Sequence, residues 1–416
     1  LGDQGPTRIL RRSGERAEGV ALVLSGGGAR GAYQAGALLA LSRAFPRLRF
    51  PILTGVSAGA INSVFLAGHP APLGRSAPAL AAIWESLRAD DVFRVDLPSL
   101  ARHLIGWGLR LVSGGVPVGP RVRGMVDNRP LEGLLRRHAA TSGDELVGIS
   151  HNLHRGNVDA VALTTLNYTT GETITWIEGR GIAPGAPVQE GRWRCAPCRL
   201  TVQHVMASAA LPLFFPAVRL GDSWHGDGGI HLETPFDPAR QLGATKILAI
   251  APRHCPSEGE VRRPKIHGYP PPAQILSELT NAVFLDTLDR DAERLQSMNR
   301  LLAYLPESVR GDLRPIDIVV LRPSQNLATL AAHYEDRMPR AFRYLTRSLG
   351  TRETTAPSSL SIVLFQPDYL RHLLELGAAD VEARLPEIRK LLGVPADPPA
   401  TAPAALKPGA ESCATG

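Results

Sequence analysis

The 416 residues are 44% hydrophobic and 20% charged, a globular composition that excludes collagen-like, coiled-coil and disordered classes for the body of the chain. Four cysteines are too few for a disulfide scaffold of this length, and no apolar run reaches the roughly 18 residues of a spanning helix. The formal charge of +7 comes from 46 basic against 39 acidic residues; it suits an anionic lipid or nucleic-acid surface and equally suits plain solubility.

In chain order, residues 1–18 form a polar, arginine-rich tail with no signal-peptide apolar stretch, which predicts a cytoplasmic protein. The chain opens on Leu1, and what stood before it is open. Val20–Leu24 is a short apolar run ending in Ser25-Gly26-Gly27-Gly28, followed by helical character over Ala32–Leu41: strand, glycine turn, helix. Ile52–Val56 repeats the plan, with Ser57 at the turn and Ala60–Leu66 as the helix. Val158–Thr165 and Thr173–Ile177 read as strands joined through Thr170-Gly171, and Lys246–Ala251 as a buried strand. Gln274–Leu302 carries one long helical pattern and Leu327–Leu349 another. Residues 395–416, rich in Pro and Ala, predict disorder. Strands alternating with helices imply an α/β fold, its largely parallel sheet covered on both faces.

Gly26-Gly27-Gly28-Ala29-Arg30-Gly31 follows a strand and opens a helix. Consecutive glycines let backbone N–H groups converge at the positive end of the helix dipole, a nest for a phosphate or for the oxyanion of an acyl-transfer intermediate. The string fits the dinucleotide fingerprint, but that fold needs an acidic residue about 20 positions further on. No Asp or Glu stands between Glu18 and Glu85, so that reading fails. No Gly-Lys pair occurs, which removes a Walker A loop.

Gly55-Val56-Ser57-Ala58-Gly59 is a G-x-S-x-G pattern between a strand and an Ala-rich helix, the bend that thrusts a serine hydroxyl outward. A hydroxyl needs a base to take its proton. The acid-free stretch 19–84 cannot supply a carboxylate, so the base must come from far along the chain. α/β-Hydrolases place several strands before such an elbow, and here one precedes it; His231, His254 and His267 keep a histidine triad formally open. The third constellation is Gly226-Asp227-Gly228-Gly229, for which an Asx-turn is the commoner meaning. His225, two residues before Asp227, would face the same side of a strand and is a rival base.

In this order and spacing the three motifs resemble the patatin-like phospholipase family. The segments Met206–Pro216 and Asp127–Leu135 also resemble family segments, whereas Glu233-Thr234-Pro235 departs from the family's Asn before Pro. The likeness is close over about residues 19–245 and looser toward 395. It implies a three-layer α/β/α sandwich with a mainly parallel central sheet and a helical C-terminal extension, and a Ser-Asp dyad that hydrolyses lipid acyl esters. By this resemblance Ser57 is the nucleophile, Asp227 its general base, and Gly26, Gly27 and Gly28 the oxyanion donors. Arg30 matches the basic position of that loop, where it supports the loop's geometry or meets a phosphate-bearing substrate. No cofactor, metal or nucleic acid is called for; the expected partners are a lipid or acyl-ester substrate and, peripherally, an anionic membrane surface. A non-lipid carboxylesterase or thioesterase on the same dyad, and a catalytically idle lipid-binding protein, are the alternatives.

The expected organisation is a tail over 1–18, a catalytic domain over 19–245, a mostly helical extension over 246–394 and a second tail over 395–416. Leu97, Leu100, Leu104, Trp107 and Leu111 stand at helical spacing among Arg102 and Arg110, which suits an interfacial or lid helix over Leu97–Val116, or one packed on the sheet. Cys195 and Cys198 form a C-x-x-C without the further ligands of a zinc site, so a local disulfide or two inert thiols is expected.

Overall fold

The computed structural model describes residues 19–94, 124, 126–185, 188–190, 193–256, 258–261, 266, 268–284, 287–311, 313–338, 343–344, 346–347, 350–354 and 357–395. The terminal tails up to 18 and from 396, and the expected helix Leu97–Val116, lie outside the described residues.

Ten strands among the described residues build one sheet: β1 (Gly19–Leu24), β2 (Ile52–Gly55), β3 (Ala160–Asn167), β4 (Thr173–Gly179), β5 (Val188–Glu190), β6 (Trp193–Pro197), β7 (Val218–Leu220), β8 (Ser223–Asp227), β9 (Ala244–Ile250) and β10 (Asp317–Leu321). The order β10-β9-β1-β2-β3 is parallel throughout, and β4, β6 and β5 extend it past β3, with β4 antiparallel to β3. The parallel strands are apolar nearly end to end, as strands covered on both faces must be.

Their side chains divide by the two-residue period of a strand. Leu22, Leu24, Leu53, Val161, Leu163, Leu248 and Ile250 enter one core; Ala21, Val23, Ile52, Ala160, Ala162, Ile247 and Ala249 enter the other. The first core is roofed by α1 (Gly31–Ala44), α2 (Ala58–Gly68), α3 (Leu73–Ser86) and the helix Pro367–Ala383. Phe236, Ala239 and Leu242, with Leu288, Ala292 and Leu295 of the helix Thr287–Tyr304, cover the second. Helices therefore lie on both faces of a mainly parallel sheet, the expected α/β sandwich.

The paired strand–turn–helix units, the strands near 160 and 173 and the strand near 246 all form where their apolar runs predict them. Two helical expectations are corrected. The pattern over Gln274–Leu302 is two helices, Pro272–Phe284 and Thr287–Tyr304. The second pattern is interrupted: it is helical over Leu327–Ala332, passes into a 3-10 turn, Glu335–Arg337, and is helical again at residues 343–344 and 346–347. Pro339 drives the residue before it out of the helical region, and Met338 is extended with ψ 155°. The run Asp317–Leu321 forms β10, an edge strand that sequence patterning overlooked.

α1 and the helix Pro367–Ala383 are tied by one buried polar contact, in which the Tyr33 hydroxyl donates to Asp380 Oδ2 at 3.0 Å. The same oxygen accepts from the Ser324 N–H at 3.0 Å. Tyr33→Phe leaves that carboxylate with one donor fewer in a buried site and is expected to lower stability by about 1–3 kcal/mol in urea unfolding. An unchanged midpoint would mean that the contact holds nothing.

Candidate active site

β3 presents one edge to two strands. Along it Gly55 of β2 stands opposite Leu163, and Asp227 of β8 stands opposite Thr165, two residues on. β2 runs parallel to β3 and β8 antiparallel, so the two strands approach end to end. Their ends must then face each other across about 7 Å of strand. Ser57 follows one end and Asp227 closes the other.

The elbow at Ser57 is strained. Its φ is 57° and ψ −127°, and among the described residues only Leu213 shares a positive φ without being glycine. The strain is held by the bonds around it: Val56 N–H donates to the Leu24 carbonyl (3.2 Å), Gly59 N–H to that of Val56 (2.9 Å) and Ala60 N–H to that of Ser57 (2.9 Å). Gly59 is required because any Cβ there would enter the Leu24 backbone. Ser57 N–H donates to Ser208 Oγ at 3.1 Å, and Ser208 Oγ donates to the Thr164 carbonyl at 2.7 Å. Ser208 thus links the bend to β3.

Asp227 is fully buried, and desolvation pushes its carboxyl up to about 7. The Ser57 hydroxyl and the Gly229 N–H, the latter bonded to Oδ1 at 2.8 Å, partly offset that rise. Oδ2 is buried and makes no hydrogen bond within strict distance and angle limits, yet the Ser57 hydroxyl lies near enough to favour the charged carboxylate.

The triple-glycine loop lies against the serine. A methyl placed on Gly26 would sit 3.1 Å from Ser57 Cβ and 3.7 Å from its Oγ. Among the described residues no oxygen accepts from the Gly26 or Gly27 N–H. Gly28 takes φ 55° and lines the same cavity as Ser57. Arg30, grouped with substrate contacts on sequence grounds, is instead 3% exposed and turned to the C-terminal part of the chain. Its guanidinium donates to Ser361 Oγ from Nε (2.8 Å) and Nη2 (2.6 Å), and to the Ser358 carbonyl (3.2 Å). Of the two roles expected for Arg30, this geometry serves loop support and not contact with a phosphate.

Sequence reasoning also missed a polar chain behind the loop. Gln34 donates to the carbonyls of Ser25 (2.7 Å) and Ile250 (3.1 Å), joining the ends of β1 and β9. Asn62 donates to Gln34 Oε1 (2.9 Å) and accepts from the Trp84 indole N–H (2.8 Å). Their only sequence trace was polar residues on otherwise apolar helices.

Ser57 opens into an apolar cavity of about 900 Å³, counting space open to solvent. Ile61, Trp84, Leu131, Leu135, Phe214 and Ile362 are among its walls, and His138 is its one titratable lining residue. The segments Asp127–Leu135 and Met206–Pro216 thus supply walls of this cavity. Apart from Ser57 and His138, the lining side chains are apolar.

The histidines weighed as bases stand elsewhere. Thr165 Oγ1 accepts from Trp176 Nε1 (2.8 Å) and shares a hydrogen bond with His225 Nδ1 (3.0 Å). Burial pulls the His225 imidazole down to about 4, so it is neutral at ordinary pH. His254 is engaged by the Pro323 carbonyl (3.0 Å) and Glu260 (3.1 Å), His231 does not line the cavity, and His267 lies outside the described residues. Cys195 lies on β6 and Cys198 just beyond its end, neither in a disulfide, and burial pushes Cys198 up to about 12. Among the described residues no group of three His, Cys, Asp or Glu could hold a metal ion, and no helix is long and apolar enough to cross a membrane.

The family profile of patatin-like phospholipases matches residues 22–240. Human GIVD cytosolic phospholipase A2 is 13% identical with a TM-score of 0.44, over 90% of this chain and 60% of its own. VipD from Legionella pneumophila is 13% identical with a TM-score of 0.33, over 86% of this chain and 67% of its own. The type III effector ExoU, from Pseudomonas aeruginosa, is 15% identical with a TM-score of 0.37, over 89% of this chain and 53% of its own. The chain thus spans about three fifths of the human protein. At these scores the family assignment rests on the profile alone. No curated protein sequence matches significantly.

The raised pKa of Asp227 also sets a stability trend. An exposed carboxyl titrates near 3.8 and this one near 7, so the native state holds its proton through that window. The group's contribution to stability is therefore greatest below about pH 4 and is lost as pH rises toward 7. Asp227→Asn removes the penalty: its unfolding midpoint is expected above wild type at pH 8, with a smaller gain at pH 5. Equal midpoints at pH 8 would contradict the burial of this charge.

Proposed function

The chain belongs to the patatin-like phospholipase family, and from that premise we propose that it hydrolyses lipid acyl esters through Ser57 and Asp227. The observation that carries this reading is a serine on a strained elbow, beside a buried carboxylate, in the lining of an apolar cavity. A small acyl group would not need such walls, which favours a lipid over a short non-lipid ester.

The chemistry follows from the groups present. Asp227 accepts the Ser57 proton as Oγ attacks the ester carbonyl. A carboxylate is ordinarily too weak a base for a hydroxyl, and burial narrows that gap by destabilising its charge. The tetrahedral oxyanion is received by the free amides of Gly26 and Gly27 with that of Gly28, beside the N-terminal end of α2. The alcohol or lysolipid leaves with the proton held by Asp227. Water then takes the place of the alcohol and attacks the acyl carbonyl as Asp227 takes its proton; the acyl–Oγ bond breaks, Asp227 returns that proton to Ser57 Oγ, and the fatty acid leaves. The surplus of basic residues favours approach to an anionic lipid surface.

Acyl release from a phospholipid panel, followed by mass spectrometry, tests the reading. Ser57→Ala should abolish release and block labelling by a fluorophosphonate, and Asp227→Asn should lower the rate by about 10²–10⁴. A folded Ser57→Ala protein that keeps wild-type activity would overturn the assignment of the nucleophile. Because Asp227 acts ionised, the wild-type rate should rise with pH and level off above about 7. A rate falling through that range would point to a different base.

A further inference from the structure

The apolar cavity is bounded on one side by four phenylalanines. Phe93, only 1% exposed, meets Phe214 at 5.1 Å and Phe365 at 6.0 Å between ring centres, both edge-on, and Phe215 at 6.2 Å. Phe214 and Phe215 are themselves edge-on at 5.1 Å. Edge-to-face rings at these spacings attract beyond their burial, so the cluster is a wall and not a loose filling. Phe214, Phe215 and Phe365 line the apolar cavity. Phe93 and Phe365 line a second cavity next to it, and Val363 joins Phe365 in lining both.

The second cavity carries charge on part of its wall. Arg88, Asp90, Arg337, Asp368 and Arg371 stand around it beside Met338 and Leu364. Asp368 pairs with Arg337 and, at 3.4 Å, with Arg371. Hydrocarbon laid against such groups costs them solvation. Within the apolar cavity, by contrast, each further buried methylene strengthens binding about fourfold. The two chambers therefore reward a growing acyl chain unequally, and Phe365, with Val363, stands between them.

We propose that this partition, with Phe365 as the ring common to both chambers, sets the length of acyl chain that the protein accepts. A chain profits from each methylene until it reaches Phe365, and beyond that point only the charged chamber is left to enter. Phe365 is a specificity-determining residue of the apolar cavity. The inference rests on the reading of that cavity as the acyl site of Ser57.

The test compares kcat/KM for p-nitrophenyl butyrate, octanoate, dodecanoate and hexadecanoate in the full chain. Phe365→Ala removes the ring and is expected to raise the hexadecanoate-to-octanoate ratio at least about tenfold. Phe365→Trp enlarges the partition and should move the optimum to shorter chains. Should the alanine variant fail to fold, Phe365→Leu and Phe365→Trp carry the comparison, with shifts in opposite directions. Folded variants whose chain-length profile matches wild type overturn the proposal while leaving the Ser57 reading intact. A wild-type protein whose hydrolysis of every ester survives Ser57→Ala overturns both, and the control separates the two failures.

Discussion

The arrangement depends on a shared strand edge. Because β2 and β8 meet end to end on β3, Ser57 and Asp227, 170 positions apart, are brought to the same strand edge without any segment built only to hold them. Backbone ladders supply the precision, and Ser208 adds a side-chain strut between the elbow and β3. The same convergence buries Asp227 completely, which makes its charge costly. That cost is what raises its pKa: a solvated carboxylate would titrate in the ordinary range.

The C-terminal part of the chain belongs to the site as much as the motifs do. β9 and β10 extend the parallel sheet, and the helix Pro367–Ala383 packs on α1. The short helix Ser358–Val363 reaches the glycine loop, where Arg30 grips it through Ser358 and Ser361. Ile362, Val363 and Phe365 then enter the walls of the apolar cavity. The buried arginine is an anchor whose charge is lowered in pKa by desolvation and satisfied by hydroxyl and carbonyl oxygens.

Much of this plan was legible beforehand, for local reasons. Glycine clusters mark places where backbones touch, as at Gly26 and Gly59, because no other residue lacks a Cβ. The apolar runs before Gly26 and before Ser57 are short and bounded, so strand and bend follow from neighbours in the chain. Helix limits were less legible where apolar spacing continues through a breaker, as at Pro339. β10 was overlooked because a five-residue apolar run looks alike in a strand and in a buried helix turn.

The amino-acid order by itself determined the two strand–turn–helix units, the candidate serine and aspartate, and the alternation of elements that demands a parallel sheet. These are properties of residues a few positions apart, written in Cβ sterics and hydrophobic period. Tertiary structure alone decided that the aspartate is fully buried near the serine, that Arg30 faces inward, that Gln34, Asn62 and Trp84 join hands behind the loop, and that Phe365 lines two cavities. Burial, pKa and cavity walls are sums over groups distant in sequence, so they exist only once the chain has closed on itself.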